Sequence, residues 1–241
     1  MSEKTDKYER PFRFKKFSIH QKHAAMKVGT DGALLGAWAG EGNPRSILDI
    51  GTGTGIAALM IAQRFPLALV SGIEIDDEAI KDAQKNFAEA PFADRMLLHH
   101  VALQEFSSNQ KFDLIVCNPP YFENSLRSAS VKRDRARHNE SLGLDELFEK
   151  ATTLLHEEGT FELVVPFDSS DRIEKLSVQN GFFVHHRCDV SSWENEAPVR
   201  TLWRLGFREK SMERTSFFLY VEHLVPSDAF RALAKAFYLK F

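Results

Sequence analysis

From Ser46 to Pro166 the chain alternates between short apolar runs and helix-like segments, and that rhythm admits few folds. "SILDI" stops at glycines, "IAALMIAQRF" has helical spacing, and "LALVSGIEI" reads as a strand again. "DDEAIKDAQKNFAEA" opens with acids and places apolar residues at helical intervals, as an amphipathic helix does. "RMLLHHVAL" and "FDLIVC" are two further strands, "LDELFEKATTLLHEEG" is a helix closed by Gly159, and "TFELVVP" is a strand. Strands separated by helices of this length predict an α/β fold with a mostly parallel sheet and helices on both faces. Right-handed crossovers are expected throughout.

The C-terminal part breaks the rhythm. "GFFVHHRCDV", "VRTLWRLGF" and "TSFFLYVE" follow one another as strands, expected to be antiparallel at one edge, with "SDAFRALAKAFYL" as a closing helix. Residues 1–45 are expected to form a small N-terminal extension, partly extended in "FRFKKFSIHQ" and partly helical in "DGALLGAW". Residues 46–241 then form the main domain. The length of 241 residues suffices for a sizeable core, and 43% hydrophobic with 27% charged residues is ordinary for a globular protein. Two cysteines without metal-ligand spacing argue against a disulfide framework or a zinc site. The polar start "MSEKTDKYERPF" has no signal-peptide core, and no apolar run approaches the ~20 residues of a membrane span. A cytoplasmic, membrane-free and metal-free protein is expected. A net charge of −3 argues against indiscriminate coating of nucleic acid, while leaving room for local basic patches.

The first chemical signal is "LDIGTGTG", Leu48 to Gly55, between a strand and a helix. Gly51 and Gly53 let backbone approach a ligand, and the helix start offers free N–H groups. The spacing is GxGxG behind an acid, Asp49, and differs from both G-x-G-x-x-G and the triphosphate-binding loop. Glu74 ends the next strand, where a carboxylate can accept hydrogen bonds from a ribose diol. Its alternative role is a solvated acid at a helix start.

The second signal is "CNPPYF", residues 117–122, behind a buried strand. Proline fixes φ and restricts the residue before it, so Asn118-Pro119-Pro120 is a stiff corner at the mouth of the sheet. The Asn118 side-chain carbonyl and the Pro119 backbone carbonyl can accept both hydrogens of an exocyclic amine. Tyr121 offers a face on which a planar substrate can stack. Cys117 has no neighbouring base or acid in sequence and reads as a buried strand residue.

From Ser46 to Pro166 these features resemble the S-adenosylmethionine-binding pattern of class I, Rossmann-like methyltransferases. The resemblance implies S-adenosyl-L-methionine as cofactor, held by Asp49, Gly51, Gly53 and Glu74, with Asn118 also at the cofactor. The segment where that family often has an acid reading the cofactor adenine is here "HHVALQEF", which assigns no such acid, and backbone near Ala102 and Leu103 is expected to serve. Asn118, Pro119, Pro120 and Tyr121 resemble the catalytic motif of amino-methyltransferases. That motif suits a poorly nucleophilic conjugated amine, because alignment and electrostatics carry most of the catalysis. "AMKVGTDGALLGAW" and "ARHNESLGLDELFEKA" resemble the bacterial tRNA1(Val) adenine-N6 methyltransferase family, over roughly Phe12 to Glu222. This implies methylation of an adenine next to the anticodon of tRNA1(Val), adenine37. It also implies Thr30 and Asp31 near the methionine end of the cofactor; a plain helix cap is the alternative.

A tRNA partner has support in the residues themselves. "LRSASVKRDRARHNE" carries Arg127, Lys132, Arg133, Arg135 and Arg137 beside the proposed pocket, as candidates for RNA contact. "RPFRFKKF" interleaves cations with phenylalanines, a pattern suited to RNA and equally to a solvated loop. Competing substrates for the same corner are a glutamine amide in protein and guanine N2 in RNA. A non-catalytic RNA-binding factor is the reading of another class. Oligomeric state leaves no trace in the sequence.

Overall fold

The computed structural model describes residues 10–120 and 143–240. Its centre is a nine-stranded sheet. The strands are β3 (Ser46–Ile50), β4 (Leu69–Glu74), β5 (Met96–His100), β6 (Phe112–Cys117), β7 (Leu155–Pro166), β8 (Phe183–Trp193), β9 (Arg200–Gly206), β10 (Glu213–Glu222) and β11 (Val225–Pro226). Their spatial order is β11-β10-β8-β9-β7-β6-β3-β4-β5. The block from β5 to β7 is parallel throughout.

The tail departs from a simple antiparallel edge. β9 runs antiparallel to both β7 and β8, and the short β11 runs antiparallel to β10. β8 and β10, however, pair in parallel. β9 is inserted between two strands that share a direction. A helix that the sequence reading left out, α5 (Ser170–Gln179), makes the crossover from β7 to β8.

Period-two alternation sorts the central strands onto two cores. Ile47, Val70, Leu114, Val116 and Val164 face one cluster. Leu48, Ile50, Ile73, Ile115, Phe161, Leu163 and Val165 face the other. The first is covered by α1 (Thr30–Trp38) and α2 (Ile56–Arg64), the second by α4 (Leu144–Leu154) and α5. Helix α3 (Asp77–Glu89) begins at its N-cap Asp76, whose side chain accepts from the N–H groups of Glu78 and Ala79. Helix α6 (Asp228–Ala234) begins at Ser227, whose hydroxyl accepts from Phe230 N–H.

Gly159 does not close a helix. α4 ends at Leu154 and β7 starts at once. A Cβ on Gly159 would stand 2.8 Å from the Phe112 carbonyl, so glycine serves close approach of β7 to β6 where their register shifts.

Residues 10–45 share their core with the rest. Phe14 and Phe17, flanking the two-residue strands β1 (Phe12–Arg13) and β2 (Ser18–Ile19), join the cluster that includes Leu34 and Leu35 of α1. The segment after β2 is tied to α3 by two buried polar side chains. Asp82 accepts from the N–H groups of His23 and Ala24, each at 2.8 Å. Asn86 accepts from His20 N–H at 2.7 Å and donates to the carbonyls of His20 and Thr54. These bonds satisfy irregular backbone that would otherwise be costly to bury.

Candidate active site

A cavity of about 340 Å³ opens at the carboxyl ends of β3, β4 and β6. Doubly wound sheets bind ligands at this end, and the volume lies in the small-molecule range. Its floor is the glycine loop. Gly51 and Gly53 have φ of 66° and 58°, and a Cβ on either would meet no protein atom within 4 Å. The loop therefore needs glycine for its backbone and leaves open space above it.

Glu74 is 8% exposed and lines the cavity. One carboxylate oxygen accepts from Gly53 N–H at 2.7 Å; the other accepts from Ile75 and Asp76 N–H, each at 2.9 Å. Three backbone donors fix the carboxylate, and its remaining lone pairs can still take hydroxyl donors from a ligand.

Asp49 sits under the loop and is not among the lining residues. It is 2% exposed and accepts from the Thr52 hydroxyl at 2.6 Å and from Ala58 N–H at 3.2 Å. Burial pushes its carboxyl up to about 7, against the opposing effect of those two hydrogen bonds. The geometry makes it a brace for the turn into α2.

Asn118, Pro119 and Pro120 form the wall opposite, where β6 ends. Helix α1 comes up behind Asn118. A Cβ on Gly32 would lie 4.0 Å from the Asn118 amide nitrogen and 2.9 Å from the Ile56 side chain. Cys117, also on the lining, is fully buried, and burial pushes its thiol well above the usual range. It stays protonated and is no nucleophile.

Thr30 and Asp31 are not on the cavity lining. Asp31 is turned to Arg200 at the start of β9, at 2.5 Å. Burial raises its carboxyl, and the Arg200 guanidinium opposes that shift. Neither residue caps α1, whose N-cap is Gly29 with no side-chain cap.

The rest of the lining was not singled out in the sequence. Ala24, Ala25 and Met26 close one side, brought there by Asp82 and Asn86. No local signal marks that segment. Asp76 and Ile75 follow Glu74, and Asp76 was recognisable only as the start of a helix. Val101, Ala102, Leu103 and Gln104 form the wall after β5. Tyr121 and the basic residues Arg127, Lys132, Arg133, Arg135 and Arg137 fall outside the described residues.

The site thus joins a glycine cradle, a fixed carboxylate, an apolar wall and a rigid amide-bearing corner. These groups could hold S-adenosyl-L-methionine, with Glu74 able to accept from hydroxyls, Val101–Gln104 able to flank a flat ring, and Gly51 and Gly53 leaving room for an extended chain. Among the described residues no group of three or more His, Cys, Asp or Glu could hold a metal ion. None of their helices is long and apolar enough to cross a membrane.

Comparison with known proteins points the same way. The Methyltransferase small domain family matches residues 29–179. A protein of Parabacteroides distasonis named tRNA1(Val) (adenine(37)-N6)-methyltransferase is 41% identical over 232 residues, covering 95% of this chain and 98% of its own. One of Vibrio campbellii with the same name is 37% identical over 229 residues, covering 95% of each. Among solved structures, a predicted O-methyltransferase from Agrobacterium tumefaciens aligns with a TM-score of 0.66 at 17% identity, over 86% of this chain and 96% of that one. The glycopeptide N-methyltransferase MtfA complexed with S-adenosyl-L-methionine aligns with a TM-score of 0.54 at 14% identity, over 76% and 90%. These structural likenesses establish the fold.

Proposed function

The chain belongs to the tRNA1(Val) (adenine(37)-N6)-methyltransferase family, and we infer that it methylates the exocyclic amine of adenine37 in tRNA1(Val). It is an S-adenosyl-L-methionine-dependent enzyme. The observation that carries the chemical reading is the position of Asn118 on the wall of the cavity that also holds Gly51, Gly53 and Glu74.

When bound, S-adenosyl-L-methionine supplies an electrophilic methyl group. The chain supplies grip and alignment. Gly51 and Gly53 give its backbone access, Glu74 takes the ribose hydroxyls, and Val101 to Gln104 accept the adenine ring. The Asn118 side-chain oxygen and the Pro119 carbonyl accept the two hydrogens of the target amine. Holding both hydrogens draws the nitrogen lone pair out of conjugation and aims it along one direction. Such positioning, with preorganised dipoles, is worth several kcal/mol of barrier. No group of tuned pKa is needed at the corner, because the amine becomes acidic only after it is methylated. We further propose that Tyr121 stacks on the target base and that Arg127, Lys132, Arg133, Arg135 and Arg137 meet RNA phosphates. Residues 1–45 act as an extension over the cofactor pocket and 46–241 as the methyltransferase domain. A tRNA substrate fits a cytoplasmic enzyme.

The test is methyl transfer from labelled S-adenosyl-L-methionine to bulk tRNA, with bulk protein in parallel, followed by nucleoside digestion and mass analysis. The expected label is in N6-methyladenosine. Label in N2-methylguanosine, or in glutamine of protein, would keep the amine-gripping corner and replace the substrate. No label in any pool would favour a binding factor.

A further inference from the structure

Between Arg10 and Thr30 the chain carries six Lys and Arg and no Asp or Glu, although its net charge is −3. Tertiary structure turns this run into a surface that starts at the pocket. Ala24 to Met26 line the cavity. Their neighbours Lys22 and His23 are exposed. From there the backbone follows α3, held by Asp82 and Asn86, which stand roughly 6 Å apart along a helix rising ~1.5 Å per residue. It ends in the β1–β2 hairpin, where Arg10, Arg13, Lys15 and Lys16 are exposed.

The hairpin is firmly seated. Phe14 stacks on Phe17 at 4.8 Å and meets Tyr238 edge-on at 5.2 Å, while Phe17 meets Phe92 at 6.1 Å. Lys15 N–H donates to the Phe237 carbonyl at 2.7 Å. The C-terminal turn thereby brings the exposed Lys235 beside the hairpin, where its carbonyl accepts from Lys15 Nζ at 2.5 Å. The acids beside this track, Glu89 and Glu78 of α3, lie against His20 at 2.8 Å and His23 at 3.5 Å.

We propose that this strip, from the pocket lip to the β1–β2 hairpin and the turn it packs on, is a docking track for the phosphate backbone of the tRNA substrate. It rests on the tRNA reading above and adds to it a contact surface outside the base pocket. Cations on a fixed scaffold suit an RNA shaft, which is recognised mainly by shape and phosphates. The aromatic bodies beneath the hairpin keep those cations in place, and Phe12, 37% exposed, adds an apolar face among them.

The test changes Arg13→Glu together with Lys16→Glu, two exposed side chains away from the pocket. The KM for tRNA should rise at least ~5-fold at low salt, because two phosphate contacts become repulsions. The slope of log(kcat/KM) against log salt should become shallower by about 1–2. Turnover at saturating tRNA and cofactor affinity should stay within about twofold. Lys235→Glu, on the other chain end, should move KM in the same direction. The proposal is overturned if KM and salt slope match wild type, or if Lys235→Glu has no effect. It is also overturned if kcat and cofactor affinity fall together, which marks a disturbed fold, or if the double variant loses only retention on anionic phospholipid vesicles. A wild type that methylates protein removes the tRNA reading and the strip with it. A wild type active on tRNA beside an indifferent double variant removes the strip alone.

Discussion

Three side chains show how position sets the work of similar groups. Glu74 and Asp49 are both buried acids at the ends of neighbouring strands. Glu74 faces the cavity, so Glu74→Ala should weaken cofactor binding by ~10–100-fold, the worth of a lost charge-assisted bond or two. Calorimetry with unchanged affinity would refute the contact. Asn118→Ala should instead cut kcat by ~10²–10³, the scale for one lost preorganised group, with cofactor affinity largely intact. Near-normal turnover in that variant would remove Asn118 from the mechanism. Asp49 faces the core, and its carboxyl is held up at about 7 from an ordinary 3.8. A raised folded value means that the native state keeps a proton the unfolded chain releases between those two values. The stability from this proton is present below the unfolded pKa and is lost as pH rises through the folded one. Asp49→Asn cannot titrate. Melting temperatures across that range should therefore show wild type losing ground to Asp49→Asn as pH rises, and a constant gap would contradict the assignment.

At the scale of elements, the site depends on how α1 is pressed into the fold. Gly36 faces α2 so closely that a Cβ would lie 2.8 Å from Met60 Cβ and 3.2 Å from Ala57 Cα. Gly36→Ala should force the helices apart and cost about 1–3 kcal/mol, measurable as a lower melting temperature. A variant as stable as wild type would mean the crossing has slack. The same helix start carries Asp31 to Arg200 and Gly32 to the back of Asn118. "KVGTDG" thus stands behind the corner, with its acid spent on a strand that follows much later in the chain. The inserted strand β9 also builds a buried pair. Glu162 of β7, fully buried, takes Arg204 Nε at 2.8 Å from the facing register position. Such a pair is costly to break on one side only.

Across the whole molecule, the hairpin of β1 and β2 meets the turn around Phe237, while the pocket opens at the carboxyl edge of the sheet. The alternating apolar runs, the glycine turn, the acid after the second strand and the Asn-Pro-Pro corner were legible in the sequence, because each depends on local chemistry: strand burial, φ above zero, a fixed proline ring. Helix α5 was missed because its buried stripe holds only Ile173 and Leu176 between two serines, too little apolar periodicity to stand out. The parallel pairing of β8 with β10 has no local signal, because strand direction is a property of partners, and β8 lies between the sequence neighbours β9 and β10. The pairing of Asp31 with Arg200 has no local signal either, because Arg200 lies far along the chain. The sequence alone determined the α/β class, the cradle and the reactive corner. Tertiary structure alone decided which carboxylate faces the ligand, which one braces the loop, and that Ala24 to Met26 close the pocket. The last of these rests on the hydrogen bonds of Asp82 to His23 and Ala24, far back along the chain, and long-range contacts leave no period in a sequence.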